Sequence, residues 1–254
     1  MDLNLADKVI LITGGTEGLG AGLAEFLVAE GARVTVCGRD AARLENMQAR
    51  LGDSGLAVQA DVTSAEDSSG LMDRTIRHWG RLDGLVNNAA RSMAGPFEAF
   101  NEDDWRDDLE LKLIAAVRLI RLALPHLRVS SAAAIVNVLN IGAKNPKANS
   151  LPTTATRAAG LAMTKALAGE FAQDGIRLNA IMVGLIESGQ WVRRANETGV
   201  TLEQFYASQA QGIPLGRVGT PSDFAALASF LLSPRAAFIT GSAVNLDGGA
   251  SASW

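Results

Sequence analysis

The sequence predicts an α/β domain with a parallel sheet and helices packed on both of its faces. Two observations carry this. Short apolar runs alternate with longer segments of helical spacing along the chain. In addition, no Pro-rich, Ser-rich or charged linker and no internal repeat divides the 254 residues, so a single domain over 1–254 is expected.

The runs "KVILIT" (8–13), "RVTVCG" (33–38), "GLAVQA" (55–60), "DGLVNN" (83–88), "AAAIVNVLN" (132–140) and "IRLNAIMV" (176–183) are short and often β-branched. Such near-continuous apolar runs suit strands buried on both faces. Between them, "GAGLAEFLVAEG" repeats apolar residues every three to four positions and stops at Gly31. "DAARLENMQARLG" does the same and stops at Gly52. Glycine just past a periodic run is a helix end. Segment 105–124 is apolar on more than one side (Trp105, Leu109, Leu113, Ile114, Val117, Ile120, Leu124), and 158–171 is rich in alanine and leucine. Helices of that kind are covered all round. The stretch from Gly184 to Gly219 breaks the rhythm and reads as an irregular connection, long enough to be a functional lid.

Composition narrows the function classes. Apolar residues make up 48% and charged residues 20%, ordinary values for a globular protein. A formal charge of −4 argues against nucleic acid or an anionic membrane as partner. The N-terminal "MDLNLADKVILITGG" carries an acid where a signal peptide carries basic residues, and its apolar run soon ends in glycines. A cytoplasmic location is therefore expected. The single Cys37 excludes an intrachain disulfide and reads as a small core residue. No metal-ligand cluster is visible in the sequence, and His78 and His126 read as surface or packing residues.

The chemical motif is "TGGTEGLG", Thr13 to Gly20, between the first strand and the first helix. Gly14, Gly18 and Gly20 let the backbone turn tightly and approach a pyrophosphate. The helix N-terminus then offers unpaired N–H groups and a partial positive charge to the phosphates. With its Gly-x-x-x-Gly-x-Gly spacing the chain resembles the short-chain dehydrogenase/reductase family. The resemblance continues through "NNAA" (87–90), "IVNV" (135–138), "GIRLNAI" (175–181), "IPLGRVGTPSDFA" (213–225) and "ITGSAVNLDGG" (239–249). It implies one doubly wound Rossmann-like domain with a seven-stranded parallel sheet and a dinucleotide across the C-terminal strand ends. It further implies that Gly14, Thr16, Glu17, Gly18, Leu19 and Gly20 hold the phosphates. Asp61 and Val62 would flank the adenine, Asn88 and Ala89 would line the ribose, and Ser188 would stand near the nicotinamide amide. Val183-Gly184 replaces the family's Pro-Gly.

Cofactor preference is partly legible. A carboxylate at the end of the second strand would bond ribose hydroxyls and repel a 2′-phosphate. Here Gly38 stands there, followed by Arg39, whose guanidinium suits a phosphate. NADP(H) is favoured on that ground, with NAD(H) as the alternative. Glu17 points the other way, because many NADP-dependent relatives carry a basic residue at its position.

The reaction centre departs from the family pattern of Asn, Ser, Tyr and Lys. Hydride transfer to a carbonyl leaves an alkoxide that needs a proton, which the family's phenol supplies beside an ammonium. At the matching positions this chain has Lys112, Asn140, Thr153 and Arg157, and its one tyrosine, Tyr206, lies far downstream. Asn140 can donate a hydrogen bond to an oxyanion. Arg157 offers a fixed positive charge next to the nicotinamide. Lys112 either places an ammonium at the site or packs its stem and leaves its charge in solvent. Lys144 and Tyr206 are weaker candidates for the missing acid. In the lid, Trp191, Phe205 and Tyr206 offer apolar walls, and Arg193 and Arg194 offer anion contacts. The leading expectation is an oxidoreductase acting on a small carbonyl or alcohol with a non-standard proton donor. A dinucleotide-binding protein without turnover, and non-redox chemistry on the same fold, are the alternatives. By resemblance, helices 105–124 and 158–171 pair two or four copies.

Overall fold

The computed structural model describes residues 1–253 and, within them, all side chains but that of Arg193, so Trp254 and the expected anion contact of Arg193 lie outside the described residues. The strands and helices follow in the order β1 (Val9–Thr13), α1 (Gly18–Ala29), β2 (Arg33–Gly38), α2 (Ala41–Leu51), β3 (Gly55–Gln59), α3 (Ala65–Trp79), β4 (Gly84–Asn87), β5 (Ala94–Gly95), α4 (Glu102–Leu109), α5 (Ala115–Leu127), β6 (Ala134–Asn140), β7 (Leu151–Pro152), α6 (Thr153–Phe171), β8 (Arg177–Val183), α7 (Gly189–Thr198), α8 (Leu202–Ala210), α9 (Pro221–Leu232) and β9 (Ala243–Leu246). The main sheet has seven parallel strands in the order β3-β2-β1-β4-β6-β8-β9. The six expected strands are all present, each within two residues of its predicted start. The seventh, β9, lies inside "ITGSAVNLDGG".

Burial explains the apolar runs. All five residues of β1 are buried, as are six of the seven in β6 and in β8. One core lies between the sheet and α1 and α9, around Leu23, Leu27, Phe224 and Leu231. The other lies between the sheet and α3, α5 and α6, around Leu71, Leu119, Ile135 and Phe171. Cys37 belongs to this second core, and burial pushes its thiol up to about 12. It is a packing residue, as the sequence suggested.

Three features place the site. Strand order reverses between β1 and β4, which opens a crevice beyond their C-terminal ends. Helices α4 and α5 join through one turn of π-helix, Glu110–Ile114, a rare turn that is frequent at functional sites. A two-residue antiparallel ladder, β5 with β7, ties the chain after β4 to the start of α6. The expectation of an irregular 184–219 segment is corrected: it contains α7 and α8. Thr201 caps α8 through a reciprocal box with Gln204, and α7 ends at Gly199 in the left-handed conformation. The polar, Gly-rich composition of that segment hid two short helices.

Candidate active site

The phosphate loop is made of backbone. Gly14 has φ +64°, and a Cβ on Gly20 would stand 2.4 Å from the Gly14 carbonyl oxygen, so only glycine closes this turn. Asn88 locks it from the next strand, donating from Nδ2 to the carbonyls of Thr13 and Gly14 at 2.9 and 3.0 Å. The Thr13 hydroxyl accepts from the N–H groups of Asn88 and Ala89, both at 2.9 Å. Thus Asn88, expected to line the ribose, spends its amide on the loop itself. Among the described residues no side chain caps α1, and its first turn holds no acid. The N-terminal N–H groups of that helix are left for an anion.

Around the loop, Arg39 is 76% exposed and only loosely paired with Asp61, at 3.8 Å. The Asp61 carboxylate accepts instead from the Thr63 N–H and hydroxyl, at 3.0 and 2.7 Å. Glu17 does not present a free carboxylate, because Arg43, on the first turn of α2, pairs with it at 2.6 Å. Arg43 was not singled out in the sequence, where nothing marks it apart from other surface arginines. Ser188 N-caps α7 without using its hydroxyl. That hydroxyl is buried and has no partner among the described residues, and its Cβ faces Gly18. Gly184 is needed for packing, since a Cβ there would meet Asp247 at 2.7 Å.

The second half of the site is made of side chains. Lys112, on the π turn, is enclosed with Asp108, the residue four positions earlier, and the two form an ion pair with both side chains fully covered. The Lys112 ammonium also donates to the Thr153 hydroxyl at 2.7 Å. Of the two readings of Lys112, the stem packed with its charge in solvent is excluded. Burial pulls this ammonium down to about 8; Asp108 opposes that shift, while Arg157 and Arg91 reinforce it. Thr153 opens α6 and is buried. Its Oγ1 also accepts from the Met93 N–H at 2.9 Å, a contact held in place by the β5–β7 ladder. Both acceptor positions of the hydroxyl are filled, so its own proton is the one left to donate.

Arg157 lies one turn further along α6 and donates to the Val138 carbonyl at 2.6 Å. Its Nε is buried without a partner among the described residues, and burial pulls its guanidinium down to about 10, so it stays charged at neutral pH. Lys112 and Arg157 border one small cavity of about 10 Å³ with Asn87, Thr13 and Ala89. Asn140 ends β6, paired in register with Val183, and its Oδ1 is buried without a partner among the described residues. Two cations and one carboxylate leave this pocket with a surplus positive charge.

Two further candidates are engaged in contacts of their own. Lys144 is tied to β9 through the Ala243 carbonyl and Asn245, at 2.7 and 2.8 Å. Tyr206 sits on α8 with its hydroxyl toward the Ser188 N–H, and burial pushes its phenol up, opposite to what a donor at neutral pH needs. Trp191 and Phe205 stack at 5.8 Å, and Phe205 meets Tyr206 edge-on at 5.9 Å. An open apolar groove of about 600 Å³ runs beside Tyr206, lined by Leu202, Ala207, Ala210 and Val218 among others. Arg194 is exposed on α7. Among the described residues no group of His, Cys, Asp and Glu could hold a metal, and no helix is long and apolar enough to cross a membrane.

Comparison with known proteins agrees with this architecture. The family model for enoyl-(acyl carrier protein) reductases matches residues 14–251. An L-fucose dehydrogenase of Bos taurus is 37% identical over 98% of this chain and 92% of its own. A short-chain oxidoreductase from Pseudomonas aeruginosa PAO1, described as containing an atypical catalytic center and solved with NADPH bound, superposes with a TM-score of 0.92. It is 34% identical, over 98% of this chain and all of its own. L-sorbose reductase from Gluconobacter frateurii, solved with NADPH and L-sorbose, gives 0.95 at 31% identity over the whole of both chains. A glycine turn with free helix N–H groups at the β1/β4 switch point and matches over nearly the full length lead to one conclusion: the chain belongs to the short-chain dehydrogenase/reductase family of NAD(P)-dependent oxidoreductases.

Proposed function

We propose that the protein interconverts a carbonyl and a secondary alcohol, and that Thr153 and Lys112 together move the proton that a phenol moves elsewhere in the family. The observation that carries this is the Thr153 hydroxyl, which accepts from Lys112 and from the Met93 N–H and so has its own proton free. Bound NADPH supplies the hydride for reduction. The loop Gly14–Gly20 would hold its phosphates, with Thr16, Glu17 and Leu19 as loop positions, Arg39 at the 2′-phosphate, Asp61 and Val62 at the adenine, and Ser188 near the amide. NADP(H) is favoured over NAD(H), because Arg39 is exposed and Arg43 neutralises Glu17.

As the substrate oxygen gains negative charge, the surplus positive charge of Lys112 and Arg157 steadies it, and Asn140 donates to it. Thr153 Oγ1 gives its proton to that oxygen and takes one from the Lys112 ammonium, which becomes a neutral amine and must regain a proton before the next turnover. An aliphatic hydroxyl is a poor acid alone. Coupled to an ammonium held near 8 it is a relay rather than a source. Reduction then needs Lys112 charged, so its rate falls as pH rises through about 8.

The substrate class is carbonyl compounds and alcohols, with sugars first on the panel, because L-fucose dehydrogenase and L-sorbose reductase are among the relatives. The test is NADPH oxidation over aldoses, ketoses and β-ketoacyl thioesters, with NADPH binding measured by fluorescence. Turnover on at least one substrate, declining above about pH 8, supports the relay. Tight NADPH binding with no turnover on any supports the second reading, a binding protein without chemistry, which the enclosure of the Asp108–Lys112 pair favours. The helices 184–210 and the chain to Gly219 would act as the lid. Leu109 and Ile114 are 36% and 41% exposed on the α4–α5 run, an apolar surface suited to pairing copies into a dimer or tetramer.

A further inference from the structure

We infer that Asp108 is a positioning residue of this site, which keeps the Lys112 ammonium charged and aimed at Thr153 and so sets the pH range in which the relay works. The inference rests on the relay reading above. Asp108 stands four residues before Lys112, across the junction of α4 and the π turn, and both side chains are fully covered. Its Oδ1 accepts from Lys112, while its Oδ2 is buried with no partner among the described residues. A carboxylate with half its capacity unmet is a costly thing to enclose, and well-packed apolar residues in place of such a pair are often as stable. Packing therefore gives no reason for it, and its effect on Lys112 does.

The charges around Lys112 show what that effect is. On its own helical run it faces Asp108. From α6 it faces the Thr153 hydroxyl and the Arg157 cation, and from the chain after β4 it faces Arg91, itself paired with Asp107 at 3.5 Å. Asp108 is the acid in contact with it. Without that charge, burial and two cations would all favour a neutral amine, which has no proton to pass to Thr153. Asp108 also fixes the direction of the ammonium. With one N–H bound to the carboxylate, another is directed at Thr153 Oγ1. No atom of Asp108 needs to touch substrate for this.

The test uses Asp108→Asn, which keeps the shape and the acceptor oxygen but removes the charge. Lysine side chains are labelled with ¹³C at Cε, and Lys112 is identified by its loss in Lys112→Met. In the unmodified protein Lys112 should be mostly protonated at pH 7; a neutral amine there overturns the inference without any substitution at Asp108. In Asp108→Asn its titration should move down by about 1–3 pH units, and the alkaline limb of the NADPH-dependent rate should move with it. NADPH affinity should stay as it was. If the Lys112 titration does not move in Asp108→Asn, the inference fails, whatever the enzyme turns over. If the titration moves but the rate limb does not follow it, the relay reading fails instead. The NMR arm therefore separates the two failures.

Discussion

The phosphate loop and the pocket under Thr153 both lie at the C-terminal ends of the central strands, yet they are built from different materials. The loop consists of main chain. Its N–H groups, the φ of Gly14 and the missing Cβ of Gly20 make the site, and Asn88 only braces it. The pocket consists of side chains, with one carboxylate and two cations enclosed together. A backbone site depends on glycine spacing and tolerates changes around it. A side-chain site depends on each partner, because removing one leaves another charge buried and unpaired. The two regions should therefore fail in different ways when they are altered.

The largest difference should appear at Lys112. Lys112→Met should lower turnover by about 10²–10⁴, the usual loss for a positioned proton-transfer group. It should also destabilise the fold by about 3–5 kcal/mol, because Asp108 is left buried without its partner. Adding Asp108→Asn should restore most of that stability and none of the activity. NADPH binding should be unaffected in both variants. Chemical denaturation, a fluorescence titration and a rate measurement check the three parts. A stable Lys112→Met would show that the pocket is looser than its contacts suggest.

Gly20→Ala should do the reverse. The new methyl group would press on the Gly14 carbonyl, and backbone cannot swing away as a side chain can. Strain of roughly 1–3 kcal/mol should weaken NADPH at least about tenfold, while the Lys112 titration is unchanged. Arg39→Asp is milder, since it leaves the loop intact. It should reverse the preference between NADPH and NADH by about tenfold or more, the worth of one charge-assisted hydrogen bond. Equal affinities for the two cofactors in the unmodified protein would show that Arg39 points elsewhere.

How much of this was legible in the sequence follows the same division. β1, the glycine turn and α1 could be read because period, spacing and turn chemistry act locally. The buried strands could be read for the same reason. At the candidate site the positions Lys112, Thr153 and Arg157 were legible only by matching the family's spacing, and the structure brings Lys112 and Thr153 into contact. Asp108 was missed, although its four-residue offset from Lys112 is the ordinary sign of a pair on one helical face. The Met93 N–H could not have been found, because a main-chain donor leaves no mark in a sequence and the β5–β7 ladder that aims it is two residues long. The helices of the lid were missed because they are short and rely on caps rather than on a long apolar period. The Glu17–Arg43 pair could not be read, because it joins residues 26 apart in the chain.

The central claim, that the Thr153 hydroxyl hands on the proton, is tested most directly by Thr153→Val. Valine keeps the branched shape and removes only the hydroxyl. Steady-state NADPH-dependent reduction of the best substrate should fall by about 10²–10⁴, with NADPH affinity unchanged. Turnover equal to that of the unmodified protein would contradict the claim and place the proton's source elsewhere.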